Sequence, residues 1–440
     1  MSIITLALIV VVELALALAA PFHSLMIADF VMLKWIRSAS LGGVSVDKTD
    51  VMLGMLVLAV LVRGRFRPTD LAKHFPHFVP WFMLGSLMTA SYLHAPINHE
   101  NLTDPIRISY QVYRYCWKPI IFYPLALLLL RDYGRIRWVM MAIVIGADII
   151  SIQAIIQGYT TGDAVGPFRT KNQFSGTLVP AVPIALAHML FPRRRWEAIF
   201  GGFSWLLMMR AITISGSRGG LVGALAGCAL FCAGAMLISL GRKRLLKLAP
   251  LVVAAPILLI LVNPAILEAP TVKQALSTAE GTKDSNMAWR IEQRWPHFWE
   301  IAWQTPWLGR GYDVDYSLGP NANTPHNGYL SIFVIYGLPV LFLLIWWIVR
   351  HLRNCFALFF YSRDIEYRFY ILMLAAPVGG LILHNVTEVT LTFDFCFKVF
   401  WTLVAITSMA VRDGYGVPER VKNQHADDLA RPAIHLPRAA

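Results

Sequence analysis

The sequence predicts an all-α polytopic membrane protein with about twelve transmembrane helices. The chain of 440 residues is 57% hydrophobic and only 15% charged, and its mean hydropathy is +0.55, which is typical of proteins that lie in a bilayer. Its apolar residues also form runs long enough to span the hydrocarbon core. Short clusters of lysine and arginine separate these runs, as expected of topology signals.

Apolar segments of spanning length recur along the chain, although several reach that length only with their flanking residues. The first has no cleavage site after a short apolar core, so we expect a retained helix rather than a signal peptide. The stretch from Phe22 to Arg37 contains Asp29 and Lys34, which favours an interfacial or re-entrant helix. The candidate spans lie near residues 2–20, 49–62, 78–95, 117–130, 136–157, 176–191, 197–213, 219–240, 248–262, 326–349, 369–388 and 394–411.

The basic clusters set the expected orientation, because positively charged loops stay in the cytoplasm. With a cytoplasmic N-terminus, the clusters that begin at Arg63, Arg131, Arg193, Arg242 and Arg350 all lie inside. Both termini are then cytoplasmic, and the longest polar interruption faces the periplasm from a bacterial inner membrane. The expected parts are the first nine helices over 1–262, a periplasmic loop with an amphipathic helix over 263–325, the last three helices over 326–411 and a flexible cytoplasmic tail over 412–440.

Charge and cysteine content exclude several classes of partner. The net charge of +13 comes from separate clusters rather than a continuous basic face, so we expect the lipid bilayer and no nucleic acid as a partner. The five cysteines lie within or beside apolar segments, which argues against a disulfide framework or a zinc site. The sequence has no HExxH motif, and we expect neither a metal ion nor another cofactor.

The polar loop carries Arg290, Arg294 and Arg310, and a connector in a helix bundle has no structural need for these cations. We therefore expect the working part of a membrane enzyme on the outer face. An outward site has no access to ATP or cytoplasmic sugar nucleotides. Lipid-linked donors, delivered across the membrane, are the natural substrates.

Four outward elements carry candidate site residues. The first is the segment that contains Arg169, Lys171 and Asn172 just before a helix. Its side chains offer hydrogen-bond donors to an anionic group, and a helix N-terminus also favours negative charge. A polar turn with interfacial cations is the alternative interpretation.

The second element is Ser215-Gly216-Ser217-Arg218-Gly219-Gly220, at the mouth of a membrane helix. Glycine permits close approach of the backbone, and a guanidinium group can bind two phosphate oxygens at once. The motif therefore indicates an anion cradle formed by Ser217 and Arg218. The alternative is a snorkelling arginine beside a glycine-rich helix contact.

The third element is a helix rich in tryptophan. Trp295, Trp299 and Trp303 recur every four residues, and Arg290 and Arg294 have the same spacing, so on an α-helix each set lies on one face. The pattern predicts an amphipathic helix on the outer leaflet. The tryptophans are interpreted as interfacial anchors, and the arginines as candidate pyrophosphate contacts.

The fourth element is Pro325-His326-Asn327-Gly328-Tyr329-Leu330, where the next span begins. A histidine can take the proton of a sugar hydroxyl as that oxygen attacks, and we predict that His326 is catalytic, with Asn327 and Tyr329 in the substrate cavity. The outer end of the eleventh span could border the same cavity or form a satisfied polar cluster, through His384, Asn385 and Glu388.

In these elements the sequence resembles the O-antigen ligase and polymerase superfamily of bacterial inner-membrane glycan transferases, over about residues 166–394. The resemblance rests on Gly166-Pro167-Phe168 followed by Asn172 and Pro183, on the Ser217-Arg218 motif, on the tryptophan-rich segment that closes at Pro306-Trp307-Leu308-Gly309-Arg310-Gly311, and on His326-Asn327-Gly328-Tyr329-Leu330. It implies a GT-C-like helical fold, an undecaprenyl pyrophosphate-linked glycan donor and metal-independent transfer with inversion.

By this resemblance, Arg218 and an arginine of the loop bind pyrophosphate, and His326 assists attack by the acceptor. The family commonly places its loop arginine four residues before a tryptophan, whereas Arg290 lies five before Trp295. Arg290 and Arg294 are therefore both candidates, with Arg169 as a further pyrophosphate-binding residue. The remaining predicted cavity residues are Ser217, Asn172, Lys171, Asn327, Tyr329 and Arg310.

Two enzyme functions use the same residues. A ligase transfers a finished glycan to lipid A core, and a polymerase of O-antigen or exopolysaccharide transfers a growing chain to another lipid-linked repeat unit. A membrane transporter is the remoter alternative, since it also uses about twelve helices. We see no half-repeat and few buried acids in the sequence to support it.

Overall fold

A computed structural model gives the fold of the protein. Two of the predicted spans, 2–20 and 248–262, lie almost entirely or entirely outside the residues it describes, as do Arg169, much of the loop 263–325 and the tail after residue 412. The described residues are 15, 17, 19–25, 39–41, 44–46, 48–62, 75, 77–94, 105–130, 133–162, 164–168, 170–239, 288–311, 325–362, 364–392 and 394–412.

The described part of the chain is helical apart from one small hairpin. In that hairpin, β1 (Ala39–Leu41) pairs antiparallel with β2 (Val44–Val46), which corrects the expectation of an all-α fold. The helices are α1 (Pro21–Leu25), α2 (Lys48–Val62), α3 (Phe78–His94), α4 (Pro105–Val112), α5 (Phe122–Leu129), α6 (Tyr133–Thr161), α7 (Lys171–Leu178), α8 (Ala181–Leu190), α9 (Arg195–Ser215), α10 (Arg218–Ser239), α11 (Trp295–Gln304), α12 (Gly328–Tyr336), α13 (Leu338–Tyr361), α14 (Ile365–Thr387) and α15 (Asp394–Arg412).

Seven helices in the described ranges are long and apolar enough to cross a membrane, so the protein is a polytopic, mainly helical membrane protein. The full count of about twelve spans stays a prediction. The seven segments are Arg135–Thr161, Lys171–Leu190, Arg195–Ser215, Arg218–Ile238, Leu338–Tyr361, Ile365–Thr387 and Phe395–Arg412.

The prediction of one continuous span over 326–349 is wrong. The chain breaks at Gly337, which has φ +84° and separates α12 from α13. A β-carbon on Gly337 would overlap the Trp307 carbonyl group, so a side chain has no room there, and the left-handed φ independently favours glycine. Pro339 in the first turn of α13 then starts a new helix.

Helices α10 and α14 pack antiparallel through glycines, and this contact positions the site. A β-carbon on Gly380 would lie 2.7 Å from the Gly223 carbonyl oxygen, and one on Gly227 would lie 3.1 Å from the Ala376 carbonyl oxygen. Small residues let two membrane helices approach closely. The close antiparallel contact brings the N-terminus of α10 next to the C-terminus of α14.

A second contact, just before α3, involves a strained histidine. His77 has φ +68°, and its Nε2 accepts a hydrogen bond of 3.0 Å from Arg350 Nε. Burial, and secondarily the positive charge of Arg350, lower the pKa of His77 from 6.5 to about 4. His77 is therefore neutral at pH 7, in agreement with its acceptor role.

Candidate functional site

The carboxylate of Glu388 is the centre of the candidate site. Glu388 follows the last residue of α14, and only 7% of its side chain is exposed. It contacts Asn172, Arg290 and His326, which come from three segments far apart in the sequence. A buried carboxylate is costly unless donors surround it, so these contacts define a single polar cluster.

His326 contacts this carboxylate through one ring nitrogen. Its Nδ1 lies 3.0 Å from Glu388 Oε2, and 29% of its side chain is exposed. With Nδ1–H donating to the carboxylate, the neutral tautomer leaves Nε2 as a proton acceptor. His326 therefore has one nitrogen held by a buried acid and another available to accept a proton.

Asn172 links α7 to both α10 and Glu388. Its Nδ2 donates to Glu388 Oε1 at 2.6 Å, and its Oδ1 accepts from Ser217 Oγ at 3.2 Å. Ser175, one turn later on α7, donates its hydroxyl to Ser217 Oγ at 2.6 Å. The N-terminal ends of α7 and α10 are thus joined by side-chain hydrogen bonds next to Glu388.

Arg218 is the first residue of α10, and the start of α10 lies beside the end of α14, where Glu388 contacts His326. Arg218 and His326 are therefore at the same end of the helix bundle. A β-carbon on the next residue, Gly219, would lie 2.7 Å from Thr387 Oγ1, and Thr387 directly precedes Glu388. Sequence reasoning placed Arg218 and His326 on one side of the membrane, and the structure has them beside one polar cluster.

The two loop arginines contact different partners. Arg290 donates to the Thr387 carbonyl at 2.8 Å and pairs with Glu388 Oε1 at 3.4 Å, whereas the guanidinium of the buried Arg294 lies 4.8 Å from the centre of the Trp289 ring. The expected α-helix is wrong here, because Arg290–Arg294 form a π-helical turn closed by a bond from the Trp295 N–H to the Arg290 carbonyl.

Three further predicted cavity residues have distinct placements. Asn327 caps α12, since its Oδ1 accepts from the Leu330 N–H at 3.0 Å. Tyr329, two residues later, donates its hydroxyl to the Ile382 carbonyl at 3.2 Å. Lys171 is exposed in the first turn of α7, next to Asn172. Asn327 and Lys171 adjoin members of the cluster in the sequence, and the hydrogen bonds of Asn327 and Tyr329 join backbone groups of α12 and α14 rather than the Glu388 carboxylate.

The structure does not bring Arg310 to this cluster. Its N–H donates to the Val334 carbonyl at 2.7 Å, and its guanidinium bonds the side chain of Gln304. Val334 lies near the C-terminal end of α12, whereas His326 precedes the N-terminal end. With a rise of about 1.5 Å per residue, the two positions are about 12 Å apart along the helix.

Sequence reasoning did not assign a functional role to Glu388. It treated this residue as a possible cavity border, because a lone acid at a helix end is often part of a satisfied polar cluster. The available signal was an acid at the outer end of an otherwise apolar helix, which is expensive near a membrane and therefore a candidate functional residue. The partners of Glu388 are 216, 98 and 62 residues away, so their convergence depends on the tertiary fold.

The arrangement supports transfer chemistry at a hydroxyl group. A histidine held by a buried carboxylate can accept a proton, as in the serine-hydrolase triad. Arg218 and Arg290 place positive charge close to the same end of the bundle, where an anionic leaving group could be stabilised. Asn172 and Ser217 add polar contacts between Glu388 and the start of α10, where Arg218 lies.

Comparison with known proteins shows one family that part of the chain resembles. Residues 203–345 match the family model described as O-antigen ligase, about one third of the chain. His326, Arg218 and Arg290 lie within the match, and Asn172 and Glu388 lie outside it. No curated protein shows a significant match to the chain. The matched segment of the protein is thus similar to the O-antigen ligase family, in agreement with the polytopic helical fold.

Proposed function

We propose that the protein transfers a glycan from an undecaprenyl pyrophosphate donor to an acceptor hydroxyl on the periplasmic face of the bacterial inner membrane. The acceptor is lipid A core, which makes the enzyme an O-antigen ligase. The observation that carries the proposal is the convergence of His326, Arg290 and Asn172 on Glu388. The O-antigen ligase description of residues 203–345 supports the choice of substrates.

In the proposed step, the acceptor oxygen attacks the anomeric carbon of the first donor sugar. A new C–O bond forms as the bond from that carbon to the pyrophosphate oxygen breaks, with inversion at the carbon. The hydroxyl proton passes to Nε2 of His326, and the bond from Nδ1 to Glu388 keeps the ring in the productive orientation. The products are the glycosylated acceptor and undecaprenyl pyrophosphate.

The leaving pyrophosphate needs stabilisation as negative charge grows on its bridging oxygen. Arg218 lies at the N-terminus of α10, where backbone N–H groups also favour an anion, and Arg290 lies beside Thr387 on the adjacent side. Both cations belong to the same end of the bundle. Fixed guanidinium groups can stabilise this charge without a metal ion.

Activity of purified variants tests this mechanism. We expect His326→Ala to abolish glycan transfer from an undecaprenyl pyrophosphate glycan to lipid A core. His297→Ala is the matched control, because His297 is exposed on α11, and it should retain wild-type transfer. Full transfer by His326→Ala would remove His326 from the reaction.

Two measurements test the finer assignments. The loop contains the pair Asp313 and Asp315, which lies outside the described residues, and paired carboxylates can bind divalent cations. Metal independence is therefore tested by adding EDTA to the transfer assay. Loss of activity in EDTA would contradict it. A strain without the gene should accumulate finished polymer on its carrier lipid. Surface lipid that bears single repeat units would instead identify a polymerase.

A further inference from the structure

The backbone of His326 is strained. Its φ is +50°, a left-handed conformation that a residue with a side chain rarely adopts. Such a conformation is unfavourable and persists only where neighbouring groups hold it. The conformation of His326 therefore depends on contacts that hold its side chain and the residues directly before and after it.

The contacts after His326 and at its side chain are part of the site already described. Asn327 fixes the following turn by capping α12, and Glu388 holds the imidazole. The preceding peptide is held from another helix, because Trp295 Nε1 donates to the buried Pro325 carbonyl at 3.0 Å.

The helix that carries Trp295 is firmly attached to α12. Phe298, Ile301 and Ala302 of α11 are buried against Phe333 and its neighbours on α12. The exposed tryptophans of α11 pack on the same side chain, since the rings of Trp299 and Trp303 each lie 5.6 Å from the ring of Phe333. The Trp295 indole is therefore a fixed point relative to the start of α12.

We propose that Trp295 is a positioning residue for glycan transfer: its indole N–H holds the Pro325 carbonyl and thereby keeps His326 in the conformation that presents its imidazole to Glu388. The inference rests on the proposed function, since it concerns the same histidine. It adds that the helix turn at Trp295 contacts the segments of both His326 and Arg290, because the backbone N–H of Trp295 also bonds the carbonyl of Arg290.

The test compares Trp295→Phe, which removes the N–H and keeps an aromatic ring, with Trp299→Phe on the same helix. We expect kcat of Trp295→Phe to fall about tenfold or more, because small displacements of a reacting group are costly. The donor KM should change less than about twofold, since uniform binding is retained. Trp299→Phe should match wild type in both constants.

A second variant tests whether Trp295→Phe lowers kcat only because it destabilises the protein. Benzothienylalanine at position 295 keeps the size of the indole and replaces only its N–H with sulfur, and it should give the same fall in kcat with an unchanged melting temperature. Wild-type kcat in this variant would overturn the proposal, and so would an equal loss in Trp299→Phe. His326→Ala, measured alongside, separates the two hypotheses. Full activity there contradicts the proposed function, whereas an inactive His326→Ala with a fully active position-295 variant contradicts only the role of Trp295.

Discussion

Replacing Glu388 with glutamine is the most demanding test of the site, because it preserves shape and removes only the charge and one acceptor. In the native cluster, Oε1 accepts from Asn172 and Arg290, and Oε2 accepts from His326. A glutamine has one oxygen and one NH₂ group. If its oxygen faces Asn172 and Arg290, its NH₂ faces Nδ1 of His326 and forces the ring proton onto Nε2.

The opposite orientation of the amide is no better, since its NH₂ would then face the donors of Asn172 and Arg290. We therefore expect the wrong histidine tautomer or an unpaired buried donor in every arrangement. The corresponding carboxylate-to-amide change in a Ser-His-Asp triad lowers kcat about 10⁴-fold, and general base catalysis is worth about 10²–10⁴-fold. We expect a fall in kcat in this range, which corresponds to about 3–5 kcal/mol in the activation barrier.

Release of undecaprenyl pyrophosphate and formation of glycosylated acceptor, measured at saturating donor with purified protein, provide the assay. Glu388→Asp is the matched variant, because it keeps the charge at a shorter reach, and it should retain more activity than Glu388→Gln. Size-exclusion profiles and melting temperatures show whether each variant is folded. Wild-type kcat in a folded Glu388→Gln protein would refute the assignment of Glu388 as the group that orients His326.

Two further predictions concern packing and pH. Gly328→Ala should lower the free energy of unfolding by about 1–3 kcal/mol, because a β-carbon there would overlap the buried side-chain amide of Asn385. Gly54→Ala is the control, since a β-carbon there meets no atom within 4 Å, and it should leave the melting temperature unchanged or raise it. The pKa of His77 is about 4 in the folded protein against 6.5 without burial. As the pH drops from 6.5 toward 4, His77 therefore becomes protonated in the unfolded chain while it stays neutral in the folded protein, and the free energy of unfolding falls. Between pH 7 and pH 5 the melting temperature of the wild type should therefore fall more than that of His77→Gln, and equal falls would contradict this assignment.

The sequence predicts much of the fold because membrane spans obey a simple length and hydropathy rule. The predicted spans 197–213, 219–240 and 369–388 correspond to α9, α10 and α14. The break at Gly337 was not predicted, since the residues on either side are apolar and hydropathy does not detect a left-handed glycine. The π-helical turn at Arg290 was missed for a related reason, because its spacing also fits an α-helix.

The candidate site was only partly predictable. Residue chemistry and topology placed His326, Arg218 and Asn172 on one face, since each lies at an expected outward end of a span. The same reasoning could not rank Arg290 above Arg294 as a contact of the site, and the structure places Arg290 against Glu388. It also grouped Arg310 with the site, because a sequence does not reveal that this segment folds back on the far end of α12.

The location of the site follows from backbone packing more than from the polar residues themselves. Gly380 and Gly223 allow α14 and α10 to approach until a β-carbon on Gly380 would lie 2.7 Å from the facing carbonyl oxygen. Because the helices are antiparallel, this approach brings Glu388 beside the helix start at Arg218. The carboxylate then reaches Asn172 of α7, which is bonded to that same helix start through Ser217. Glycines about one to two helical turns from the chemistry therefore determine which charged groups meet.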